Sequence, residues 1–119
     1  MIHHVQIACP RGTEDALRSF YVGILHMAEQ QKPPALAVRG GCWFTGYDAE
    51  LHIGVEDDFR PARKAHPALL LPSPELDTLA SRLFDAGYPV AWSDELPGMR
   101  RFYTEDPHSN RLEFLTRRS

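Results

Sequence analysis

The chain has 119 residues, of which 43% are apolar and 24% charged, which is the size and composition of one compact domain. Its 13 basic and 16 acidic side chains give a net charge of −3, so it lacks the basic field that nucleic-acid binding usually needs. The apolar runs are far shorter than a membrane span, and the first residues have no signal-peptide pattern. With only two cysteines, Cys9 and Cys42, we expect a cytoplasmic protein with reduced thiols.

The first half of the chain begins with a strand and a helix. Residues 2–8 alternate polar and apolar side chains, which is the period of a strand with one buried face. Apolar side chains then recur at the spacing of one helix face, and Thr13 is the expected N-cap. These apolar residues are Leu17, Phe20, Tyr21 and Ile24. Extended stretches are predicted at 27–32, 42–47 and 50–55, with a loop or short irregular turn at 33–41.

The second half repeats this order at an offset of about 62 residues. Residues 66–71 match the opening strand, and a second apolar helix face follows it. This face consists of Leu76, Leu79, Ala80 and Leu83. Ser73 can cap the helix, and Gly87 suits the left-handed residue that ends it. The last extended stretches are 89–92, 100–104 and 111–115.

The repeat predicts an α+β fold, in which two βαβββ modules form an open cupped mixed sheet with the helices on the outside. Module one spans residues 1–55, the connector residues 56–65, and module two residues 66–119. Each module has a single helix for four strands and is too thin to bury its sheet alone. We therefore expect one domain in which both modules share a core.

Four candidate metal ligands occupy matched positions of the repeat. His4 and His66 open the first strands, whereas His52 and Glu113 lie in the last strands. Apolar neighbours flank His52 and Glu113, so both polar side chains should point away from the helices. Three imidazoles and one carboxylate suit a divalent ion such as Zn²⁺, Ni²⁺, Co²⁺, Fe²⁺ or Mn²⁺. Taken singly, each histidine is more often a surface residue or a satisfied core residue, so the prediction depends on the repeat.

A second group of residues is a candidate for substrate binding. Trp43 can line a pocket, although it is most simply a core residue, as are Phe44, Tyr47 and Trp92. Arg101 and Tyr103 lie beside the last strand and can hydrogen-bond an anionic ligand, with strand packing and a surface charge as the alternative. The other three histidines are not expected to bind metal. His3 is expected to be exposed or packed beneath a helix, His26 to lie in a left-handed turn, and His108 to be solvated.

With these residues the chain resembles the vicinal-oxygen-chelate superfamily, which includes glyoxalase I, extradiol dioxygenases, fosfomycin-resistance thioltransferases and bleomycin-resistance proteins. The resemblance covers nearly the whole chain and is most specific over residues 102–114, FYTEDPHSNRLEF. The opening HVQIA and the end of the first helix also match. The resemblance implies paired βαβββ modules, a homodimer, and metal ligands at His4, His66 and Glu113. His52 stands where glyoxalase I enzymes place a glutamate, and Ser109 where the family usually has glycine.

The resemblance also implies a metal-dependent enzyme that chelates two neighbouring oxygens of a small substrate and stabilises an enolate or oxyanion. The candidate base is Glu113, a displaced carboxylate or a metal-bound water, and the basic residues 60–64 before His66 favour an anionic substrate. Lyase or isomerase chemistry is favoured over dioxygenase chemistry, because oxygen chemistry usually needs several open metal positions and four protein ligands leave few. Thioltransferase chemistry is also less favoured. The alternative is a non-catalytic protein of the bleomycin-resistance type that sequesters a small molecule between aromatic walls. Neither reading involves nucleic acid or a membrane.

Overall fold

A computed structural model describes residues 1–118 of the chain. The strands are β1 (Val5–Cys9), β2 (Ala28–Gln30), β3 (Cys42–Gly46), β4 (Ala49–Val55), β5 (Ala68–Leu70), β6 (Ala91–Ser93), β7 (Met99–Glu105) and β8 (Arg111–Arg117). The helices are α1 (Glu14–Tyr21), α2 (Pro34–Ala37) and α3 (Ser73–Asp85). In the described range, no helix has the length and apolar character needed to span a bilayer.

The chain divides into two compact units, unit 1 ending at Pro61 and unit 2 beginning at Ala62, so the boundary falls inside the predicted connector. Unit 1 contains a sheet of order β1-β4-β3-β2, and unit 2 a sheet of order β5-β8-β7-β6. In each sheet the first strand pairs in parallel with the last, and the remaining pairs are antiparallel. The predicted α+β class with two open βαβββ modules is confirmed. Unit 1 adds the short helix α2 within the predicted loop at 33–41.

In unit 1, helix α1 packs against β3 and covers one face of the sheet. Tyr21 is fully buried, and its ring stacks on that of Phe44 with the centroids 5.1 Å apart. Ile53 on β4 is also buried, at 1% exposure. Since side chains alternate along a strand, His52 and Trp43 lie on the opposite face of the sheet. The helix-covered face therefore forms the core and leaves the other face for polar chemistry.

Unit 2 repeats this arrangement, with α3 packed against β7 and β8. Leu79 and Leu83 of α3 are buried together with the facing rings of Phe102 and Phe114. Burial of each such side chain contributes about 1.5–3 kcal/mol relative to its exposed state. Glu113, next to Phe114 in the strand, is directed to the face that the helix does not cover.

Both opening strands begin later than predicted. β1 begins at Val5 and β5 at Ala68, so His4 and His66 precede their strands instead of opening them. At β5 the cause is Pro67, which has no N–H for the ladder. Its carbonyl oxygen nevertheless accepts a hydrogen bond from the backbone N–H of Glu113 at 3.0 Å, so pairing is already established beside His66.

The helix ends follow the sequence signals in part. Thr13 is the N-cap residue of α1 as predicted, although its hydroxyl donates to the carbonyl of Pro10 at 2.7 Å. The cap predicted at Ser73 is wrong, because α3 begins at Ser73 itself and Pro72 occupies the N-cap position. Gly87 after α3 has a φ of +88°, which confirms the predicted left-handed end. His26 adopts the predicted left-handed conformation as well, with a φ of +60°.

A buried turn leads into β8 and fixes the register of Glu113. The Asp106 carboxylate accepts hydrogen bonds from the backbone N–H groups of His108 at 2.8 Å and Asn110 at 2.9 Å. Ser109 has a φ of +67°, a left-handed conformation that favours glycine, which is the residue that the resemblance implies there. His108 is half-buried in this turn, so the prediction that it is solvated is wrong.

Candidate functional site

Two of the predicted ligands meet in unit 2. Nε2 of His66 lies 2.9 Å from Oε1 of Glu113. The Glu113 side chain is almost fully buried, and the His66 side chain is mostly buried. The parallel pairing of β5 with β8 places Glu113 opposite Ala68, which brings it beside the segment that carries His66. The 2.9 Å separation is therefore fixed by backbone pairing.

A second partner orients each member of this pair. Nδ1 of His66 lies 2.9 Å from the backbone carbonyl oxygen of Lys64, which can only accept a hydrogen bond. The Nδ1 atom therefore carries a proton. Nε2 faces the Glu113 carboxylate, which likewise only accepts, so Nε2–H donates a hydrogen bond there, and an ion bound at Nε2 would take the place of that proton. Oε2 of Glu113 accepts a hydrogen bond of 3.3 Å from Nη1 of Arg101. Such outer contacts are typical of metal ligands, because they fix the tautomer and the direction of the donor atoms.

The predicted substrate residues Arg101 and Tyr103 also lie beside Glu113. Tyr103 faces Glu113 directly across the pair of strands β7 and β8. The His66 ring approaches the Tyr103 ring edge-on, with the centroids 5.5 Å apart. The guanidinium carbons of Arg101 and Arg111 lie 5.3 and 4.1 Å from the centre of the Tyr103 ring. The structure thus brings together His66, Glu113, Arg101 and Tyr103, and adds Arg111 to them.

In unit 1 the other two predicted ligands meet in a different way. The rings of His4 and His52 are stacked, with the centroids 4.0 Å apart and an interplanar angle of 14°. Trp43 stacks on the His52 ring as well, at 4.0 Å and 8°. Trp43 is the cross-strand neighbour of His52, which explains the close parallel contact. The His52 ring is therefore held between two aromatic planes, a set we name the three-ring stack (His4, His52 and Trp43).

The stacking limits what His4 and His52 can coordinate. An imidazole binds an ion through a lone pair that lies in the plane of its ring. Two nearly parallel planes 4.0 Å apart do not meet near the rings, so both cannot bind one ion in this arrangement. His4 is exposed whereas His52 is only 6% exposed, so His4 is the ring that can turn. Coordination by both requires His4 to leave the stack.

The free edge of His52 carries a polar atom without a hydrogen bond. Nε2 of His52 is buried and has no hydrogen-bond partner among residues 1–118. Oε1 of Glu50 lies 3.6 Å away, which is beyond a hydrogen bond. Burial lowers the pKa of His52 below 6.5, and the neighbouring His4 lowers it further, while Glu50 acts in the opposite direction. His52 therefore favours the neutral form that binds metals and accepts or donates a hydrogen bond.

A cavity of about 560 Å³ opens beside the three-ring stack in unit 1. Its lining also includes Glu50 and the cationic side chains of Lys32 and Arg39. The volume is in the range of small-molecule sites. Glu50 was not among the predicted site residues, although its spacing of two residues from His52 on a strand puts both on one face.

Among residues 1–118, no group of three or more histidine, cysteine, aspartate or glutamate side chains is arranged to hold a metal ion. The four predicted ligands lie as two pairs, one within each unit. The donor chemistry of the unit 2 pair suits a divalent ion, since an imidazole nitrogen and a carboxylate oxygen meet there and an ion would replace the proton of their 2.9 Å hydrogen bond. The unpartnered Nε2 of His52 is a further available donor. The set of four ligands remains a prediction.

No family model matches the chain, and no curated protein matches it in sequence. Among solved structures, a Bacillus anthracis protein assigned to the glyoxalase family is 42% identical, with 99% of this chain and 95% of that chain covered and a TM-score of 0.92. This identity extends over nearly the whole of both chains and includes both units.

More distant structures share the fold alone. A glyoxalase/dioxygenase from Nostoc punctiforme is 20% identical, with a TM-score of 0.80 over 100% of this chain and 92% of that chain. A lactoylglutathione lyase from Agrobacterium tumefaciens is 17% identical, with a TM-score of 0.74 over 98% of this chain and 92% of that chain. Together with the 42% identity to the Bacillus anthracis protein, these likenesses confirm the resemblance seen in the sequence. The chain belongs to the glyoxalase/bleomycin-resistance/dioxygenase superfamily, also called the vicinal-oxygen-chelate superfamily.

Proposed function

We propose that the protein is a metal-dependent enzyme that acts on a small, oxygenated and anionic substrate, with lyase or isomerase chemistry. Its homologues are glyoxalase and lyase enzymes, and members of the superfamily often bind divalent metals. The observation that carries the proposal is the contact of 2.9 Å between Nε2 of His66 and Oε1 of Glu113. Both groups are mostly buried and oriented by a second partner, as functional ligands are.

The proposed ligands are His4, His52, His66 and Glu113, and the proposed ion is Zn²⁺, Ni²⁺, Co²⁺, Fe²⁺ or Mn²⁺. His66 and Glu113 would hold the ion in unit 2, because Nε2 and Oε1 lie side by side and are donor atoms of the kinds that these ions bind. A bound divalent ion supplies Lewis-acid stabilisation of negative charge on two neighbouring substrate oxygens.

The residues around Glu113 have distinct roles in this proposal. Glu113 is the catalytic residue, and its Oε2 atom accepts a proton from the substrate while Oε1 faces His66. Arg101 fixes Oε2 through its Nη1 atom, and its buried Nε–H has no hydrogen-bond partner among the described residues. Tyr103 forms a wall of the unit 2 site, and Trp43 forms a wall of the unit 1 cavity.

The metal content of protein purified without added metal tests the proposal. We expect one transition-metal ion per chain, and more than about a 100-fold loss of affinity in His66→Ala and Glu113→Ala, since direct ligands matter more than their outer partners. His4→Ala and His52→Ala should each weaken binding by tenfold or more, on the order of 1.4 kcal/mol. His26→Asn is the control, because His26 is exposed and asparagine tolerates its left-handed backbone. Wild type without stoichiometric metal, and variants that bind added metal equally well, would refute the proposal.

A specific observation favours a second candidate function. The three-ring stack lines a cavity of about 560 Å³, which suits sequestration of a small molecule against an aromatic wall. A sequestering protein would bind its ligand equally well with and without metal and release it unchanged. Binding measured with and without a chelator, followed by mass spectrometry of the released ligand, separates this candidate from the enzyme.

We also propose that the protein is a homodimer. Within their own sheets, β1 and β5 each pair on one side only. An unpaired strand edge is commonly covered by association. Light scattering is expected to give twice the mass of the 119-residue chain, and a monodisperse monomer would contradict the proposal.

A further inference from the structure

Arg111 occupies an unusual position in unit 2. It begins β8 and lies two residues before Glu113, so both side chains are on the same face of the sheet. Its guanidinium carbon lies 4.1 Å from the centre of the Tyr103 ring. Glu105 is its cross-strand neighbour, yet Arg111 forms no ion pair with any described residue. A partly buried arginine without a carboxylate partner is a candidate to bind an anion from solution.

The contact with the Tyr103 ring orients the guanidinium of Arg111 for binding an anion. A guanidinium that rests on an aromatic face directs its N–H donors sideways, past the rim of the ring. Donors in this planar fork match two oxygens of a carboxylate or a phosphate. The ring also restricts the side chain, so that less rotamer entropy is lost when an anion binds.

The neighbouring charged side chains also leave Arg111 without a carboxylate partner. The Arg101 guanidinium also approaches the Tyr103 ring, at 5.3 Å, so two positive charges flank one ring. The charge of Arg101 is matched by Glu113, with Nη1 and Oε2 3.3 Å apart. The charge of Arg111 has no such partner among residues 1–118. Arg111 is therefore the guanidinium of the two whose donors no carboxylate engages, and an anion from solution could take them.

We propose that Arg111 is the anchor for the charged group of the substrate, a carboxylate or a phosphate, held on the Tyr103 ring beside Glu113. The inference rests on the proposed function only for the identity of the ligand as the substrate. The oxyanion site itself depends on residues of β7 and β8. Arg111 therefore binds the anion, whereas Arg101 donates its hydrogen bond to the carboxylate of Glu113.

Arg100 supplies a matched control within the same sheet. Its guanidinium carbon lies 5.0 Å from the ring centre of Trp92, so it too contacts an aromatic residue. Both of its terminal nitrogens, however, donate to the carboxylate of Asp77 at 3.0 Å. Arg100 therefore shares the charge and the aromatic contact of Arg111 but has its donors occupied.

The test is an NMR titration of metal-free, ¹⁵N-labelled protein with inorganic phosphate and, separately, with acetate, at constant ionic strength in chloride. We expect saturable shifts of the Arg111 Nε–H and the Tyr103 amide, and the anion that binds more tightly identifies the charged group. Arg111→Met should weaken binding by at least about tenfold, because a charge-assisted hydrogen bond is lost. Arg111→Lys, which keeps the charge but not the fork, should weaken it several-fold, and Arg100→Met should leave it unchanged.

Equal anion affinity in wild type, Arg111→Met and Arg111→Lys would overturn the inference, as would shifts that never saturate. The metal content of Arg111→Met separates this result from the proposed function. If the variant keeps its metal and loses the anion, Arg111 is a dedicated anion anchor. If the wild type binds the anion through Arg111 but takes up no metal, the oxyanion site stands and the metal-dependent reaction does not.

Discussion

The two units carry their predicted ligands in matched places but arrange them differently. In unit 2, the imidazole of His66 and the carboxylate of Glu113 meet through polar atoms 2.9 Å apart. In unit 1, the imidazoles of His4 and His52 meet through their ring faces, 4.0 Å apart. In the first contact an ion would only have to replace the proton of a hydrogen bond, whereas the second requires one ring to turn.

The residue across the strands explains this difference. An aromatic residue faces the last-strand position in both units, Trp43 opposite His52 and Tyr103 opposite Glu113. An imidazole can lie flat on the indole, so His52 is drawn into the stack. A carboxylate cannot stack in this way, which leaves the Tyr103 ring for the guanidinium of Arg111. Equivalent backbone positions can therefore provide a coordinating pair in one unit and an aromatic stack in the other.

The largest expected effect is on the free energy of unfolding and concerns the helix-covered faces, which are alike in the two units. Phe44 and Phe114 are fully buried on the helix-covered faces of their sheets. Phe44→Ala and Phe114→Ala should each lower the free energy of unfolding by about 3–5 kcal/mol, because each leaves a cavity. Urea denaturation followed by circular dichroism measures both. Phe84→Ala is the control, since Phe84 is 72% exposed and should change stability by less than about 0.5 kcal/mol. A loss in only one unit would show that the helix-covered faces are not equivalent.

The next largest effect is on metal affinity, and it distinguishes the polar face of unit 2 from that of unit 1. Arg101→Met removes the donor that fixes Oε2 of Glu113 and should reduce metal affinity by about 10–100-fold. Glu50→Gln alters the nearest carboxylate to His52, but no hydrogen bond joins them, so we expect less than about a threefold change. Competition with a chromogenic chelator measures both affinities. Equal losses in the two variants would mean that the unit 1 pair is oriented from outside as strongly as the unit 2 pair.

Backbone positions were largely predictable from the sequence. The period-two strands, the helical spacing around Leu17 and Leu79 and the left-handed signals at His26 and Gly87 depend on local chemistry that can be read directly. The late start of β5 was also accessible, because the proline at position 67 cannot donate to a ladder. The prediction that Trp92 is a core residue is wrong, because the side chain is 47% exposed on the edge strand β6. The sequence does not reveal which strand lies at the edge of the sheet.

The pairings of side chains on the polar faces could be predicted from the sequence only in part. His66 and Glu113 were predicted to converge, and the structure places them in contact within unit 2. The stacking of His52 on Trp43 depends on strand register, which fixes the cross-strand neighbour and cannot be read from spacing along one strand. The contact of Arg111 with Tyr103 could not be predicted for the same reason, because it is made across two strands. Its distance of two residues from Glu113 was the one signal available.

A smaller effect tests whether the aromatic stack stabilises unit 1. A double-mutant cycle with Trp43→Leu and His52→Leu should give a coupling of about 0.5–1.5 kcal/mol in the free energy of unfolding, which is the range for stacked rings. The matched cycle in unit 2, with Tyr103→Leu and Glu113→Leu, should give a smaller coupling, because these side chains do not stack. Coupling near zero between Trp43 and His52 would mean that the parallel rings add nothing beyond their burial.

The smallest expected effect is a pH dependence of the metal-free protein. Burial holds the pKa of His52 below its ordinary value of 6.5, so the unfolded chain takes up this proton more readily than the folded chain. Stability from this group is therefore complete above pH 6.5, decreases as the pH falls below 6.5, and levels off below the folded-state pKa. The slope cannot exceed about 1.4 kcal/mol per pH unit for one proton. Urea midpoints between pH 7.5 and 5 should show this loss in wild type and not in His52→Gln, whereas His3→Gln, which alters an exposed neighbour, should keep it. Parallel curves for wild type and His52→Gln would mean that His52 takes up its proton as easily in the stack as in the unfolded chain, and the stack would then no longer explain the difference between the two units.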